Sequence, residues 1–315
     1  MIYKIARMFR TLIHNLHVLF IRDERETEKR IDELIDELKK DLAQCKRKLY
    51  EFEIGLKAPE VFKQEAKYIF DNGLCNFPYN QEKKMKEVVS CFDVEKQLPY
   101  ILHNGKRLYF PCSFSLKHCE EMYCSYISEE CLLGGGYRCK APHQYQTDTF
   151  KVEDGDILVD VGCAEALLSL DVIEKVSKVY LIEAEKEWMP ALNATFEKYE
   201  NKVEIINKYV SDEDTETTIS LKSILKKEYG KKFFIKMDIE GAEVSVLKGS
   251  KEFLSRSVDV KLVCCTYHRE HDAETILSLF ESMGFHTEFS DGFMLFLGDE
   301  IKYPYFRHGV LRGWK

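Results

Sequence analysis

Apolar residues recur along this chain with two different periods. From Ile31 to Phe52 they follow one another in steps of four and three, which is a heptad seam of about three repeats. The seam predicts a long amphipathic helix whose outer face is charged. Such a helix either pairs with a second copy as a short coiled coil, giving a homodimer, or folds back on a neighbouring helix. The seam positions are Ile31, Ile35, Leu38, Leu42, Cys45, Leu49 and Phe52.

The pattern changes after Asp154, where short apolar runs begin to alternate with helix-period segments. The runs are DILVDVG, VYLIEA, VEIINKYV, FFIKMDI and VKLVCC. Strands of about five residues that alternate with helices of about 10–15 residues predict βαβ units and a parallel sheet covered on both faces. The closing segment FHTEFSDGFMLFL predicts an antiparallel hairpin that turns at Ser290, Asp291 and Gly292.

Between these parts lies a smaller mixed region. Asn104-Gly105 separates two apolar-aromatic runs, which is a strong signal for a tight β-hairpin. Glycines 134–136 follow, and clustered glycines indicate a mobile or tightly turning segment. We therefore predict three parts: a helical N-terminal extension over 1–55, a small α+β cap over 56–150, and an α/β domain over 151–315.

The first 21 residues form a basic amphipathic pattern with no acidic residue before Asp23. Such a helix either lies in the interface of an anionic membrane or packs on its own domain or on a second subunit. No stretch approaches the ~20 apolar residues of a membrane span. We expect a cytoplasmic protein, with peripheral contact at the inner face of the membrane as one option. The apolar face comprises Ile5, Met8, Phe9, Leu12, Leu16 and Leu19.

Charge and cysteine content narrow the function classes. The net charge is −8 and the pI is about 5.7, which argues against nucleic acid as a partner. The chain has 11 cysteines, several of them crowded between residues 112 and 139. The number is odd and no secretory signal precedes them, so we interpret them as reduced thiols in preference to a zinc or disulfide cluster.

In an open α/β sheet, ligands bind beyond the carboxyl ends of the strands. The first strand ends in Asp160-Val161-Gly162-Cys163-Ala164-Glu165-Ala166, whose small residues let a turn and a helix N-terminus approach a ligand closely. Only one of the three small positions is glycine, so the glycine-rich dinucleotide fingerprint is absent. We predict that this turn binds a cofactor through Asp160, Gly162, Cys163 and Glu165. Glu183 ends the second strand, 23 residues after Asp160, at the usual distance for a carboxylate that accepts hydrogen bonds from ribose.

The segment FFIKMDIEGAE places Lys236, Asp238 and Glu240 on one face of an extended strand. Buried charges cost several kcal/mol unless they pair or face a site, so Asp238 is a candidate catalytic residue. Glu240 and Glu243 also stand where they could cap the next helix. His268, after the run VKLVCC, should face the same cleft as Asp238. His143, on the loop after the glycines, could enter the acceptor site from the cap.

Taken together, DVGCAEALLSL, VYLIEAEKEW, FFIKMDIEGAEVSVLKG and CCTYHRE resemble the FkbM family of methyltransferases. The resemblance covers roughly residues 145–300, and its most specific element is K-x-D-x-E-G-x-E. It implies a Rossmann-like class I methyltransferase sheet, with parallel strands and a terminal antiparallel hairpin. It also implies S-adenosylmethionine (AdoMet) as cofactor and a hydroxyl acceptor, often on a sugar or secondary metabolite. Segment 142–145 is similar to bacterial members among glycan-building proteins. Ala166 departs from the family, which usually has a glycine there.

An alcohol attacks a methyl donor only after a base takes its proton or a metal lowers its pKa. Asp238 and His268 are the candidates for the base. A divalent cation such as Mg²⁺, held by Asp238, Glu240 or His268, is the other option, and the sequence leaves both open. Two further classes compete with the methyltransferase: a nicotinamide-dependent oxidoreductase, which the missing glycines disfavour, and a catalytically idle scaffold, which Ala166 and the heptad seam motivate.

Overall fold

A computed structural model describes residues 24–79, 88–129, 141–228, 230–257, 259–298 and 300–315. The basic segment 1–21 and the glycines 134–136 lie outside the described residues. The chain divides into two compact units. One contains the described residues up to Cys75 together with Glu300–Tyr305, and the other contains the remaining described residues. The predicted borders after residues 55 and 150 stay predictions.

The first unit is built on the helix that the heptad seam predicts. Helix α1 spans Glu24–Lys57 and helix α2 spans Lys63–Asn72. Pro59 lies between them, where its ring is incompatible with a continuing helix. The buried side chain of Ile54 belongs to the core of this unit. No helix among the described residues is long and apolar enough to cross a membrane.

The predicted hairpin at Asn104-Gly105 is confirmed. Strands β1 (Ser90–Asp93), β2 (Leu98–His103) and β3 (Lys106–Tyr109) form an antiparallel sheet. Both turn residues have positive φ, 48° at Asn104 and 81° at Gly105, as a two-residue turn of this kind requires. Helix α3 (Leu116–Glu129) packs on this small sheet.

The larger sheet has the order β11-β12-β10-β9-β4-β5-β6. Its parallel strands are β4 (Ile157–Val161), β5 (Lys178–Ile182), β6 (Val203–Ile206), β9 (Phe233–Met237) and β10 (Val260–Cys265). Helices α4 (Leu167–Val172), α5 (Trp188–Phe196), α6 (Leu221–Lys226), α7 (Glu243–Arg256) and α8 (Asp272–Ser282) connect them, with β7 (Tyr209–Ser211) and β8 (Thr218–Ser220) as a separate pair. The predicted α/β fold with a mostly parallel sheet is confirmed.

Side chains of β4 alternate between two cores, which shows that both sheet faces are covered. Ile157, Val159 and Val161 belong to one core, and Leu158 belongs to the other. Asp160 therefore points to the same side as Leu158, and its cross-strand neighbour on β9 is Lys236.

The closing hairpin was predicted in the wrong place. Strand β11 (His286–Phe289) pairs with β12 (Val310–Trp314), which inserts antiparallel between β11 and β10. The chain does not turn back at Ser290: β11 pairs with residues 310–314, and the buried hydroxyl of Ser290 donates to the carbonyl of Pro142 and accepts from Val310 N at 3.1 Å. An antiparallel pair does end the sheet, but residues 290–309 separate its strands.

Candidate active site

The carboxyl ends of β4, β5, β9 and β10 surround a cavity of about 480 Å³. Its wall includes residues from each predicted cofactor segment and from the predicted acceptor side. Those on the cofactor side include Asp160, Gly162, Cys163, Glu165 and Glu183. Those on the other side include His143, Tyr145, Asp238 and Tyr267.

The turn after β4 has an unusual backbone. Gly162, Ala164 and Ala166 have φ values of 71°, 42° and 59°. For alanine this left-handed region costs about 1–2 kcal/mol. At Gly162 a side chain is also excluded by space, since a Cβ atom would lie 1.9 Å from the carbonyl oxygen of Asp238. The turn thus lies directly against the end of β9.

Asp160 holds this turn in place through Lys236. Its carboxylate accepts a hydrogen bond from the Ser169 hydroxyl at 2.7 Å and lies 3.3 Å from Lys236 Nζ. Lys236 Nζ also donates to the carbonyl of Gly162 at 2.5 Å. Burial by itself would lower the pKa of Lys236, but the charges of Asp160 and Asp238 raise it above its usual value. The buried ion pair therefore fixes the shape of the cofactor turn.

Glu183 joins the first two strand ends. Its Oε2 accepts a hydrogen bond from Ala164 N at 2.9 Å, and its Oε1 accepts from Glu185 N at 2.7 Å. A carboxylate has about four lone-pair positions, so both oxygens can still accept from a ligand in the cavity.

Glu165 and Cys163 are buried in the same turn. Burial raises the pKa of Glu165 to about 7, and burial also raises the pKa of the Cys163 thiol well above its ordinary value. Near neutral pH Cys163 is therefore an unreactive thiol. Both residues shape the wall of the cavity.

Asp238 is a carboxylate on the predicted acceptor side of the cavity. The Tyr145 hydroxyl donates to Oδ2 at 2.9 Å, and the Tyr267 hydroxyl donates to Oδ1 at 3.4 Å. About 20% of the side chain remains accessible. Burial would raise the pKa of Asp238, but the neighbouring imidazole of His143 and the charge of Lys236 lower it far below its usual range. Asp238 is therefore ionised at neutral pH.

His143 is buried beside these groups. We had predicted that it enters this part of the cavity from the cap region. Its Nε2 lies 3.3 Å from the Tyr145 hydroxyl, 3.2 Å from the Tyr267 hydroxyl and 3.7 Å from Asp238 Oδ2. Both tyrosines were missed by the sequence-based prediction. Each tyrosine lies within two positions of a histidine that was predicted as a site residue. This proximity in sequence is the only local signal that could have identified the tyrosines.

His268 reaches the cavity through Asp238. Its Nε2 lies 3.4 Å from Asp238 Oδ1, and its Nδ1 lies 2.9 Å from Oε1 of the fully buried Glu243. Burial would lower the pKa of His268, but the hydrogen bond with Glu243 and the charge of Asp238 raise it above 6.5. Glu243 Oε1 also accepts from Ile239 N at 3.0 Å, so this glutamate both orients the imidazole and holds the loop between β9 and helix α7.

Glu240 does not share the face of Lys236 and Asp238, which corrects the prediction. Strand β9 ends at Met237, and Glu240 has a φ of 54° with 88% of its side chain exposed. The alternation of side chains stops where the extended backbone stops. Glu240 Oε2 still lies 3.6 Å from His268 Nε2.

Within the described part of the chain, two groups of side chains have the spacing of metal ligands. One comprises His143, Asp238 and Cys265, and the other comprises Asp238, Glu243 and His268. Burial raises the pKa of the Cys265 thiol well above its usual value, which makes it a poor ligand. Carboxylates with one imidazole suit Mg²⁺ or Mn²⁺.

The mostly parallel sheet with an inserted antiparallel strand, and the turn after β4 at its carboxyl edge, form a Rossmann-like α/β arrangement. Residues 132–287 match the family model described as the methyltransferase FkbM domain, which identifies a methyltransferase domain in this part of the chain.

Solved structures similar to this chain include an FkbM methyltransferase from Methylobacillus flagellatus KT, which is 20% identical in sequence and has a TM-score of 0.41. The match covers 53% of this chain and 45% of that chain, so this chain spans less than half the length of that protein. Precorrin-6y C5,15-methyltransferase from Geobacter metallireducens GS-15 is 11% identical, with 53% of this chain and 83% of that chain covered and a TM-score of 0.36. No curated protein sequence matches the chain significantly.

Proposed function

We propose that this protein is an AdoMet-dependent O-methyltransferase that acts on a hydroxyl group of a sugar, glycan or related metabolite. The observation that carries the proposal is the position of Asp238. This ionised carboxylate, surrounded by hydroxyl and imidazole groups, shares one cavity with the left-handed turn at Gly162 and with Glu183.

The residues on the cofactor side fit AdoMet. Gly162 presents bare backbone to the cavity, and the turn has no side chain larger than alanine at positions 164 and 166. Glu183 can accept hydrogen bonds from ribose hydroxyls beyond the two backbone groups it already binds. When bound, AdoMet supplies an electrophilic methyl group, so the protein mainly needs to align an acceptor oxygen with it.

On the acceptor side, Asp238 is the group that contacts the hydroxyl. Its low pKa makes it a weak base on its own, so the proton needs a second recipient. His143 Nε2 lies 3.7 Å from Asp238 Oδ2, and its imidazole is the group that we assign to this role. His268, held by Glu243, is a positioning residue that fixes Asp238 from Oδ1.

A divalent cation is the second route to the same chemistry. Asp238 Oδ1 and Glu240 Oε2 lie 3.4 Å and 3.6 Å from His268 Nε2, longer than good hydrogen bonds but suitable for ligands of one ion. Glu243 would then orient the ligating imidazole from its other nitrogen.

Polar aromatic residues support a glycan-like acceptor. Tyr126, Tyr145 and Tyr267 line the cavity, and such rings offer an apolar face together with a hydroxyl group. We expect the reaction to take place in the cytoplasm, with residues 1–21 as an optional contact to the inner face of the membrane. Sedimentation of the full chain and of a chain lacking these residues with anionic vesicles tests that contact.

Calorimetry with AdoMet and with NAD tests the cofactor, and labelled AdoMet with a panel of saccharides tests the reaction. We expect binding of AdoMet alone and label in a saccharide. Binding of NAD alone would favour the oxidoreductase, and binding of neither would favour the idle scaffold. Turnover that survives EDTA supports the base, and turnover restored only by added Mg²⁺ supports the cation.

A further inference from the structure

Helix α1 carries an exposed apolar row along most of its length. Ile35, Leu42, Leu49 and Leu56 recur at every seventh position, and Phe52 stands beside them. The exposed fraction of these residues ranges from 42% at Ile35 to 69% at Leu56. At 1.5 Å per residue the row is about 32 Å long. Single exposed apolar residues are normal, but a continuous row of this length marks an interaction surface.

The neighbouring helix in the chain does not cover this row. Helix α2 and the segment after it contact α1 on another side: a Cβ at Gly55 would lie 3.0 Å from Phe70, Arg47 donates to the carbonyl of Leu74, and Glu51 Oε1 accepts from Leu74 N at 3.3 Å. If Ile35, Leu42, Leu49 and Leu56 occupy heptad position a, these contacts come from positions c, f and g. Among the described residues, helix α2 therefore leaves this row uncovered.

We propose that α1 pairs with α1 of a second copy of this chain as a parallel, in-register, two-stranded coiled coil. The charges that flank the row favour this arrangement. In a parallel pair each g residue faces the e residue five positions later on the other helix. Asp41 then faces Lys46 of the partner subunit, and Lys48 faces Glu53 of the partner subunit, so both pairs have opposite charges.

Cys45 gives the arrangement a distinctive signature. It occupies position d of the seam, it is a free thiol, and it is partly exposed. In a parallel in-register pair a d residue faces the same residue of the other copy, whereas in an antiparallel pair a d residue faces an a residue. Cys45 therefore lies against the partner's Cys45 only in the proposed arrangement.

The oligomeric state of the full chain tests the pairing. We expect sedimentation equilibrium to give a dimer, and Leu42→Glu/Leu49→Glu to give a folded monomer with an unchanged circular dichroism spectrum. Gln44→Glu is the control for an added glutamate, because it places one negative charge at exposed position c, and it should remain dimeric. A monomeric wild-type chain overturns the proposal and indicates that the row is covered by another segment of the chain or by a different partner.

Charge exchange and cross-linking test the direction. Lys46→Glu places like charges opposite each other and should raise the dimer dissociation constant about three- to tenfold. Asp41→Lys/Lys46→Glu should restore it. Diamide, which takes up two electrons and two protons from two thiols, should give a reducible dimer in the wild type but not in Cys45→Ser. A dimer whose dissociation constant does not change with Lys46→Glu, and which diamide does not cross-link through Cys45, is not parallel. None of these measurements depends on methyl transfer, so their outcome does not test the proposed function.

Discussion

The backbones of Gly162 and Asp238 are in direct contact. A Cβ atom at Gly162 would lie only 1.9 Å from the carbonyl oxygen of Asp238. This contact joins the turn after β4 to the residue that we propose as the contact of the acceptor. The two proposed sides of the site are therefore positioned by one another, and a change in the turn displaces Asp238 as well.

Gly162→Ala should consequently disrupt the site. The new methyl group would clash with backbone and would stand at positive φ, so we expect a loss of about 3–5 kcal/mol in the free energy of unfolding and no measurable AdoMet binding. Gly155→Ala is the control, because Gly155 also has a positive φ but has open space around it. It should cost about 1 kcal/mol. Equal effects of the two variants in thermal unfolding would contradict the contact.

Ala166→Gly should stabilise the protein. Ala166 has a φ of 59°, a conformation that glycine adopts without the steric cost that alanine bears. We expect a gain of about 1 kcal/mol and AdoMet affinity equal to or better than that of the wild type. Ala191→Gly, in the interior of helix α5, should instead lose about 1 kcal/mol. A destabilised Ala166→Gly protein would show that the left-handed turn is not strained.

Glu183→Ala should weaken AdoMet binding by about 1–3 kcal/mol, the range for a charge-assisted hydrogen bond. Glu183→Gln keeps an acceptor for Ala164 N but loses the charge, so its effect should be smaller. Calorimetric titration of both variants separates the loss of ribose contacts from the loss of loop structure. Wild-type affinity in Glu183→Ala would mean that the ribose binds elsewhere.

Asp238→Asn should lower kcat by about 10²-fold or more with little change in AdoMet affinity, because Asp238 lies on the acceptor side. His268→Ala should lower kcat as well, through the loss of its contact with Asp238 Oδ1. Tyr145→Phe removes one donor to Oδ2 and should have a milder effect. Near-native turnover in both Asp238→Asn and His268→Ala would move the search for the catalytic group to His143.

Stability should depend on pH through His268. Its pKa is raised above the unfolded value of 6.5, so its charged form stabilises the fold fully below about pH 6.5, and this contribution is lost as pH rises through the folded-state pKa. The melting temperature of the wild type should therefore exceed that of His268→Gln most at low pH, with the difference shrinking toward alkaline pH. Glu243→Gln should flatten the same profile. A difference that grows with pH would contradict the charge assignment.

The strands and their order along the chain were predictable because each apolar run is short and is separated from the next run by a helix-period segment, as at VYLIEA and FFIKMDI. Glu183, Asp238 and His268 are polar residues at the ends of those runs. The rule that ligands bind beyond the carboxyl ends of strands made them candidate site residues. The position of β12 was not predictable, because Ser290-Asp291-Gly292 reads locally as a turn and the buried bonds of Ser290 depend on residues far away in sequence. Tyr145 and Tyr267 were missed for a similar reason: their hydroxyls converge on Asp238 only in three dimensions.

Strand β12 also carries Arg312, a buried guanidinium that donates to the carbonyls of Gln144 and Tyr145. These bonds span 168 and 167 positions of sequence. The segment that supplies His143 and Tyr145 thus receives its anchor from the last strand of the sheet. Loss of that strand would free this segment from the sheet, although none of its residues belongs to the strands that hold the turn after β4.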